Sequence, residues 1–398
     1  MAHHRSQFKH DDFQFGFEIA LGSTYRGAAD AGEVLATAER ISDGDADSWL
    51  REWLTTADAV HAAGTAAEDA GHRVTALAHH RRSATYYATA LYLIDHSHEA
   101  ARQPEIWGRQ RECWKRIVEL SGGERIAIPY GDTTLPGWFF QAADERRPLV
   151  VINNGSDGAT SQMWVQGGAA ALERGYHWMT FDGPGQQSTL FEQGIPFRHD
   201  WEAVLGPVAD AMVARDDVDA DRMAVIGVSQ AGYWVPRALA FEHRFAAGVA
   251  DPGVVDVSAS WLEPLPAHLR KDLASGKRES FDREMRMGER FSASTRALLE
   301  FRGAPYGIEG DSRYDLYAAV MKQRLGDEVG QISTPMLVTD PEGEQFWPGQ
   351  SQQLYERLPG PKELVHFTAA EGAGRHCEPL GSSVRDARIF DWLATYLG

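Results

Sequence analysis

Ser229 lies in the stretch Arg222-Met-Ala-Val-Ile-Gly227-Val-Ser229-Gln-Ala231-Gly232-Tyr233, with small residues on both sides of it. A serine hydroxyl is a weak nucleophile until a base takes its proton, so its value depends on a histidine and an acid within reach. Met223–Ile226 is an apolar run of buried-strand type, and Tyr233–Phe241 is compatible with a helix. Strand, tight turn with serine at the tip, then helix is the nucleophile elbow, which holds the hydroxyl out of a sheet edge. The usual spacing is Gly-x-Ser-x-Gly. Here the last position is Ala231, with Gly232 one place later. A methyl group still allows the close helix–strand approach that the turn needs.

An elbow of this kind is followed in the chain by its acid and then its histidine. Glu371-Gly-Ala-Gly-Arg-His376-Cys377 is a glycine-rich loop that would deliver His376 as the base. His366, inside an apolar strand, is expected to be structural. Three acids follow the preceding strand in Pro335-Met-Leu-Val-Thr-Asp340-Pro-Glu342-Gly-Glu344, and Asp340, Glu342 and Glu344 all compete to orient the imidazole. Two backbone N–H groups must face the developing oxyanion. The expected donors are Gln230, just after the serine, and Ser156 in the loop Asn153-Asn154-Gly155-Ser156-Asp157-Gly158, with Asp157 the alternative.

These groups need a sheet beneath them. After Gly122-Gly123 the chain predicts strands at Glu124–Tyr130, Leu135–Gln141, Leu149–Asn153, His177–Phe181, Met223–Ile226, Phe245–Ala250, Met336–Thr339 and Glu363–Phe367. Helices are expected between them: one up to Arg174, one over Trp201–Arg215, and a last one at Val384–Leu397. Short apolar strands alternating with helices imply an α/β fold, a mostly parallel sheet covered on both faces. The rhythm breaks over about 252–331, a charged, helix-compatible stretch read as a helical cap insert. Residues 1–122 show helical spacing without strand alternation, with helices expected at Asp45–Ala70, His72–Ser97 and Pro104–Leu120. They form an expected N-terminal helical domain, with 123–398 as the catalytic domain.

Composition narrows the partners. The 398 residues carry 39 basic and 57 acidic side chains, a net charge of −18, which argues against nucleic acid and anionic membrane. A small-molecule substrate is the expected partner. Cys113 and Cys377 stand far apart and make neither a disulfide framework nor a zinc pattern. His3 and His4 are too few for a metal tract, and His10 is isolated. There is no secretory leader pattern and no apolar run of membrane-spanning length, so the expected location is cytoplasmic.

The chain resembles the α/β-hydrolase superfamily over about residues 120–398. The resemblance rests on the elbow, the His376 loop and Arg174-Gly-Tyr-His-Trp-Met-Thr-Phe-Asp182-Gly-Pro-Gly185-Gln186, similar to the Asp-Gly-Pro-Gly-Gln turn of that superfamily. The helical N-terminal region, the acidic run at 216–222 before the elbow strand, and Gly-Arg-His376-Cys are similar to the subgroup of pigment polyketide-shortening hydrolases and 2,6-dihydroxypseudooxynicotine hydrolase. The resemblance implies an α/β-hydrolase fold and a serine triad with no metal or organic cofactor. It also implies cleavage of an ester or of a carbon–carbon bond beside a ketone. In that fold the acid commonly stands four residues before a proline that opens the next helix. Counting back from Pro348, and forward from Pro335, selects Glu344 over Asp340. The chain departs from the common pattern at Ala231 and in using Glu rather than Asp.

Helices from both the N-terminal region and the insert would enclose a pocket over Ser229. Tyr86, Tyr87, Asp157, Tyr233 and Trp234 are the expected lining. The expected enzyme is a serine hydrolase with Ser229, His376 and Glu344 as its triad. An acyltransferase or cyclase with the same triad is the alternative, followed by a non-catalytic binding protein. A homodimer is possible for such capped folds.

Overall fold

Gly122 ends the last N-terminal helix in the left-handed conformation (φ 73°), a backbone state that glycine enters without a Cβ penalty. The computed structural model describes residues 6–398, so His3 and His4 lie outside the described residues. Before the glycine come α1 (Asp11–Gly22), α2 (Ala31–Ala38), α3 (Ala46–Asp69), α4 (Arg73–Leu91) and α5 (Gln103–Ser121). The Asp45 side chain caps α3 by accepting from the backbone N–H groups of Asp47 and Ser48, satisfying donors that the first turn leaves unpaired. Pro104 sits in the first turn of α5, where no N–H is missed. Helix α4 stops at Leu91, short of the expected Ser97, and gives way to 3-10 turns.

After the glycine come β1 (Glu124–Tyr130), β2 (Thr133–Phe140), β3 (Arg147–Asn153), β4 (His177–Phe181), β5 (Val218–Val228), β6 (Ala247–Asp251), β7 (Met336–Pro341) and β8 (Lys362–Phe367). They form one sheet in the order β1-β2-β4-β3-β5-β6-β7-β8. β1 pairs antiparallel with β2 and β2 with β4 at one side, and β3 through β8 run parallel to one another. The sequence explains this placement. β3 is apolar and almost wholly buried, as a central parallel strand must be. β1 alternates, is half exposed and carries Pro129, which suits an edge.

Between the strands lie α6 (Gly168–Glu173), α7 (Gln187–Phe191), α8 (Glu202–Val213) and α9 (Ala231–Leu239). The insert after β6 holds α10 (Ala259–Leu262), α11 (Ala267–Ala274), α12 (Arg278–Phe291), α13 (Ala293–Gly303) and α14 (Arg313–Val320). Then come α15 (Gln350–Arg357) and α16 (Ser382–Leu397). The long helix expected after β3 is instead a 3-10 turn at Thr160–Trp164 and the short α6, because Gly167 at φ 135° interrupts the run. β5 begins at Val218, earlier than expected, because Val218 pairs with Arg147 of β3. Alternate β3 residues feed two cores. Val150 and Ile152 join a cluster with α16 and the N-terminal helices. Leu149 and Val151 join one with α8 and α9. Among the described residues, no helix is long and apolar enough to cross a membrane.

Candidate active site

Ser229 stands between β5 and α9 with φ 59°, a left-handed conformation that is strained for a residue with a side chain. Close packing enforces it. A Cβ on Gly227 would collide with the Ala231 carbonyl, and one on Gly232 with the Pro252 carbonyl. The departure from the usual spacing is thereby explained. Gly232 makes the approach in which no side chain fits, while Ala231 packs fully buried in the core. The Ser229 N–H donates to the Asp251 carbonyl at 2.6 Å.

His376 Nε2 lies 2.8 Å from Ser229 Oγ, and His376 Nδ1 lies 2.7 Å from Glu344 Oε2. An ionised carboxylate can only accept, so Nδ1 carries the proton and Nε2 accepts from the serine hydroxyl. Glu344 Oε1 accepts from the backbone N–H groups of Phe346 (2.9 Å) and Trp347 (3.1 Å). Burial alone would raise the Glu344 carboxyl. Electrostatic attraction to the His376 ring, its hydrogen bond and the two N–H groups outweigh that and hold it below the usual glutamate range. The His376 ring is fixed edge-on by Phe346 at 4.7 Å between centroids and flanked by Trp347 and by Phe15 of α1. Its loop is held to the acid loop by Gly343 N–H donating to the Gly374 carbonyl at 2.7 Å. Cys377 and Glu378, just after the histidine, both have positive φ.

The competing acids have other partners. Asp340 Oδ2 is 3.1 Å from His366 Nδ1, since the two residues face each other in the β7–β8 register. Glu342 accepts from the Ala369 N–H. Gln230, Ser156 and Asp157 all line the cavity at Ser229. The loop bearing Ser156 passes so near the serine that a Cβ on Gly155 would lie 2.8 Å from Ser229 Cβ. Gln186 pins this loop, its Nε2 donating to the carbonyls of Asn154 (2.7 Å) and Gly155 (2.6 Å). The Asp182–Gln186 turn was legible in the sequence, but nothing there pointed to this role.

The cavity is about 570 Å³, within the range of small-molecule sites. Its aromatic lining includes Phe15, Tyr92, Trp107, Trp261, Tyr306 and Phe346. Four of the expected lining residues are elsewhere. Tyr86 and Tyr87 face the helical core, with their hydroxyls donating to Glu33 (2.7 Å) and Asp58 (2.5 Å). The Tyr233 hydroxyl donates to the His199 carbonyl. Trp234 stacks on Trp201 at 4.1 Å and donates to Gln323. Each aromatic is held by a hydrogen bond from its own hydroxyl or ring N–H, and Trp234 by a stacked ring as well, and so turns away from the cavity.

The chain matches the prolyl oligopeptidase family over residues 205–289, the segment containing the elbow. It is 33% identical over 284 residues to the 20-hydroxy-prefusarin hydrolase FUS2 of Gibberella moniliformis, covering 68% of this chain and 67% of that protein. To the hydrolase LUC6 of a Fusarium species it is 28% identical over 407 aligned positions, covering 97% and 96%. Among solved structures, the 2,6-dihydroxy-pseudo-oxynicotine hydrolase has a TM-score of 0.73 at 18% identity over 94% of this chain and 95% of that one, which shows the fold. On this relationship and this architecture, the chain belongs to the α/β-hydrolase superfamily and is an enzyme related to the pigment hydrolases.

Proposed function

We propose that this enzyme is a serine hydrolase that cleaves a carbonyl substrate through an acyl-enzyme on Ser229, with His376 as base and Glu344 orienting it. The observation that carries the reading is the continuous hydrogen-bonded relay Glu344–His376–Ser229 at an aromatic-lined cavity. The substrate class is an ester, or a ketone with a scissile C–C bond, in a small aromatic or polyketide-like metabolite. The similarity to a hydrolase of 20-hydroxy-prefusarin supports a small organic substrate.

Ser229 Oγ attacks the carbonyl carbon as its proton passes to His376 Nε2. Glu344 holds the tautomer and stabilises the imidazolium that forms. The oxyanion is held by the N–H groups of Gln230 and Ser156. On collapse the imidazolium protonates the leaving group, on oxygen for an ester and on carbon for a ketone. Water, deprotonated by His376, then attacks the acyl carbon and frees the serine. Residues 1–122 and the 252–331 insert act as a roof over the 123–398 unit, supplying Phe15, Trp107, Trp261 and Tyr306 to the substrate.

A fluorophosphonate probe tests the nucleophile. The wild type is expected to label and Ser229→Ala is not; an unlabelled wild type, or equal labelling of both, refutes the reading. Product analysis with and without an added alcohol or amine then separates hydrolysis from acyl transfer.

A further inference from the structure

Away from the cavity, three helices of the N-terminal region bring together side chains whose sequence spacing is unlike any metal motif. His61 comes from α3, His80 from α4 and Cys113 from α5, and one ligand atom of each lies within 4.8 Å of the others. His80 is 1% exposed and Cys113 fully buried, while His61 is half-buried. His61 Nδ1 is 3.3 Å from Cys113 Sγ. A tetrahedral zinc ion with one sulfur and two nitrogen ligands has N–S edges of about 3.5 Å, given bonds of about 2.3 and 2.0 Å. The observed separation is therefore already close to a coordination edge.

The second observation is His80 itself. Its Nε2 is 3.3 Å from Glu68 Oε2, and Glu68 is in turn paired with Arg116. An ionised carboxylate accepts, so the ring proton sits on Nε2 and the lone pair on Nδ1. That Nδ1 is buried with no hydrogen-bond partner. A buried imidazole nitrogen left bare costs free energy. A carboxylate holding the opposite ring nitrogen is the arrangement by which ligating histidines are oriented. Gly64 of α3 lies against the ring: a Cβ there would be 3.3 Å from Nδ1 and 3.1 Å from Cε1.

We propose that His61, His80 and Cys113 form a structural site for a borderline-soft divalent cation of the zinc class, which ties α3, α4 and α5 together. One thiolate and two imidazoles favour zinc over magnesium or calcium, which prefer oxygen ligands. The half-buried side at His61 leaves the fourth position to water. Binding displaces the Cys113 thiol proton to solvent, so one proton leaves as the S–metal bond forms. Without a metal, burial pushes this thiol up to about 12, so it stays protonated, and burial keeps the His80 ring below its ordinary range and neutral. The consequence reaches the active site through α5. Trp107, on the cavity wall, is six residues or about 9 Å along that helix from Cys113.

The test uses the full chain, stripped with a chelator and dialysed against zinc chloride or cobalt chloride alone. Wild type is expected to retain one equivalent more zinc than Cys113→Ser, His80→Gln or His61→Gln. Its cobalt form is expected to show a thiolate charge-transfer band absent from Cys113→Ser. Zinc should raise the Tm of the wild type alone. His61→Gln, at a half-buried position, keeps the comparison valid if the two buried variants fail to fold. Equal zinc content in wild type and His61→Gln, no zinc retained by wild type, or bound cobalt without the thiolate band would each overturn the proposal.

Discussion

Glu344 and Asp340 differ little in chemistry and only four positions in sequence, yet they have different surroundings. Glu344 is buried against His376 and two backbone donors, whereas Asp340 faces the exposed His366 across a strand pair. We expect Glu344→Gln to lower kcat by roughly 10³–10⁴-fold, the scale seen when a triad acid is neutralised, and Asp340→Asn to change it little. The effect has a pH signature. The Glu344 carboxyl is depressed below the usual glutamate range, so it is ionised above that range and protonated only as pH falls through its lowered value. The advantage of wild type over Glu344→Gln should therefore be full at neutral pH, where the carboxylate is ionised, and be absent once pH has fallen through the lowered carboxyl value. Steady-state kinetics across pH check both statements; an advantage absent at neutral pH would count against Glu344.

At the scale of elements, the elbow depends on how closely α9 can approach β5 and the chain after β6. Gly227 and Gly232 meet backbone carbonyls that cannot move aside as a flexible side chain would. Gly232→Ala is expected to destabilise the fold by about 1–3 kcal/mol, the usual cost of overpacking, and to lower activity by tilting Ser229. Thermal melts and fluorophosphonate labelling rates measure the two effects; a Gly232→Ala protein with unchanged Tm would refute the packing argument. Strands and helices were legible in the sequence where apolar runs were bounded by turn residues, as at β1 and β4, whose ends match the sequence reading. The reading failed beyond the Asn153–Gly158 loop, where the sequence suggests one helix up to Arg174 but Gly167 at φ 135° divides the run into a 3-10 turn and the short α6.

At the scale of the molecule, a buried ion pair joins the turn after α1 to α16, a helix packed against β5. Arg26 donates to Asp386 of α16 at 2.6 and 3.1 Å and pairs with Glu173 of α6. Both members of the Arg26–Asp386 pair are nearly inaccessible, at 6% and 3% side-chain exposure. Asp386 keeps Arg385 as a second partner, so losing Arg26 does not leave a bare buried charge. Arg26→Met is expected to cost about 1.5–3 kcal/mol, the range for hydrogen bonds to charged groups. It should also raise KM more than it lowers kcat, because the segment it anchors carries cavity-lining residues and not the triad. Denaturant unfolding with parallel kinetics tests this; a fall in kcat at unchanged KM would contradict it.

The sequence by itself determined the fold class and singled out Ser229, Glu344 and His376 as the candidates for catalysis. Elbow, loop and strand rhythm are local patterns, and their order along the chain limits how they can meet. Tertiary structure alone decided which aromatics face the cavity. Tyr86, Tyr87, Tyr233 and Trp234 look like Phe15, Trp107 and Trp261 in sequence, and differ in what holds each ring in the fold. The same holds for His61, His80 and Cys113, which carry no mutual spacing because they come from three helices. A periodic pattern records which face of an element is buried, but not what that face is buried against.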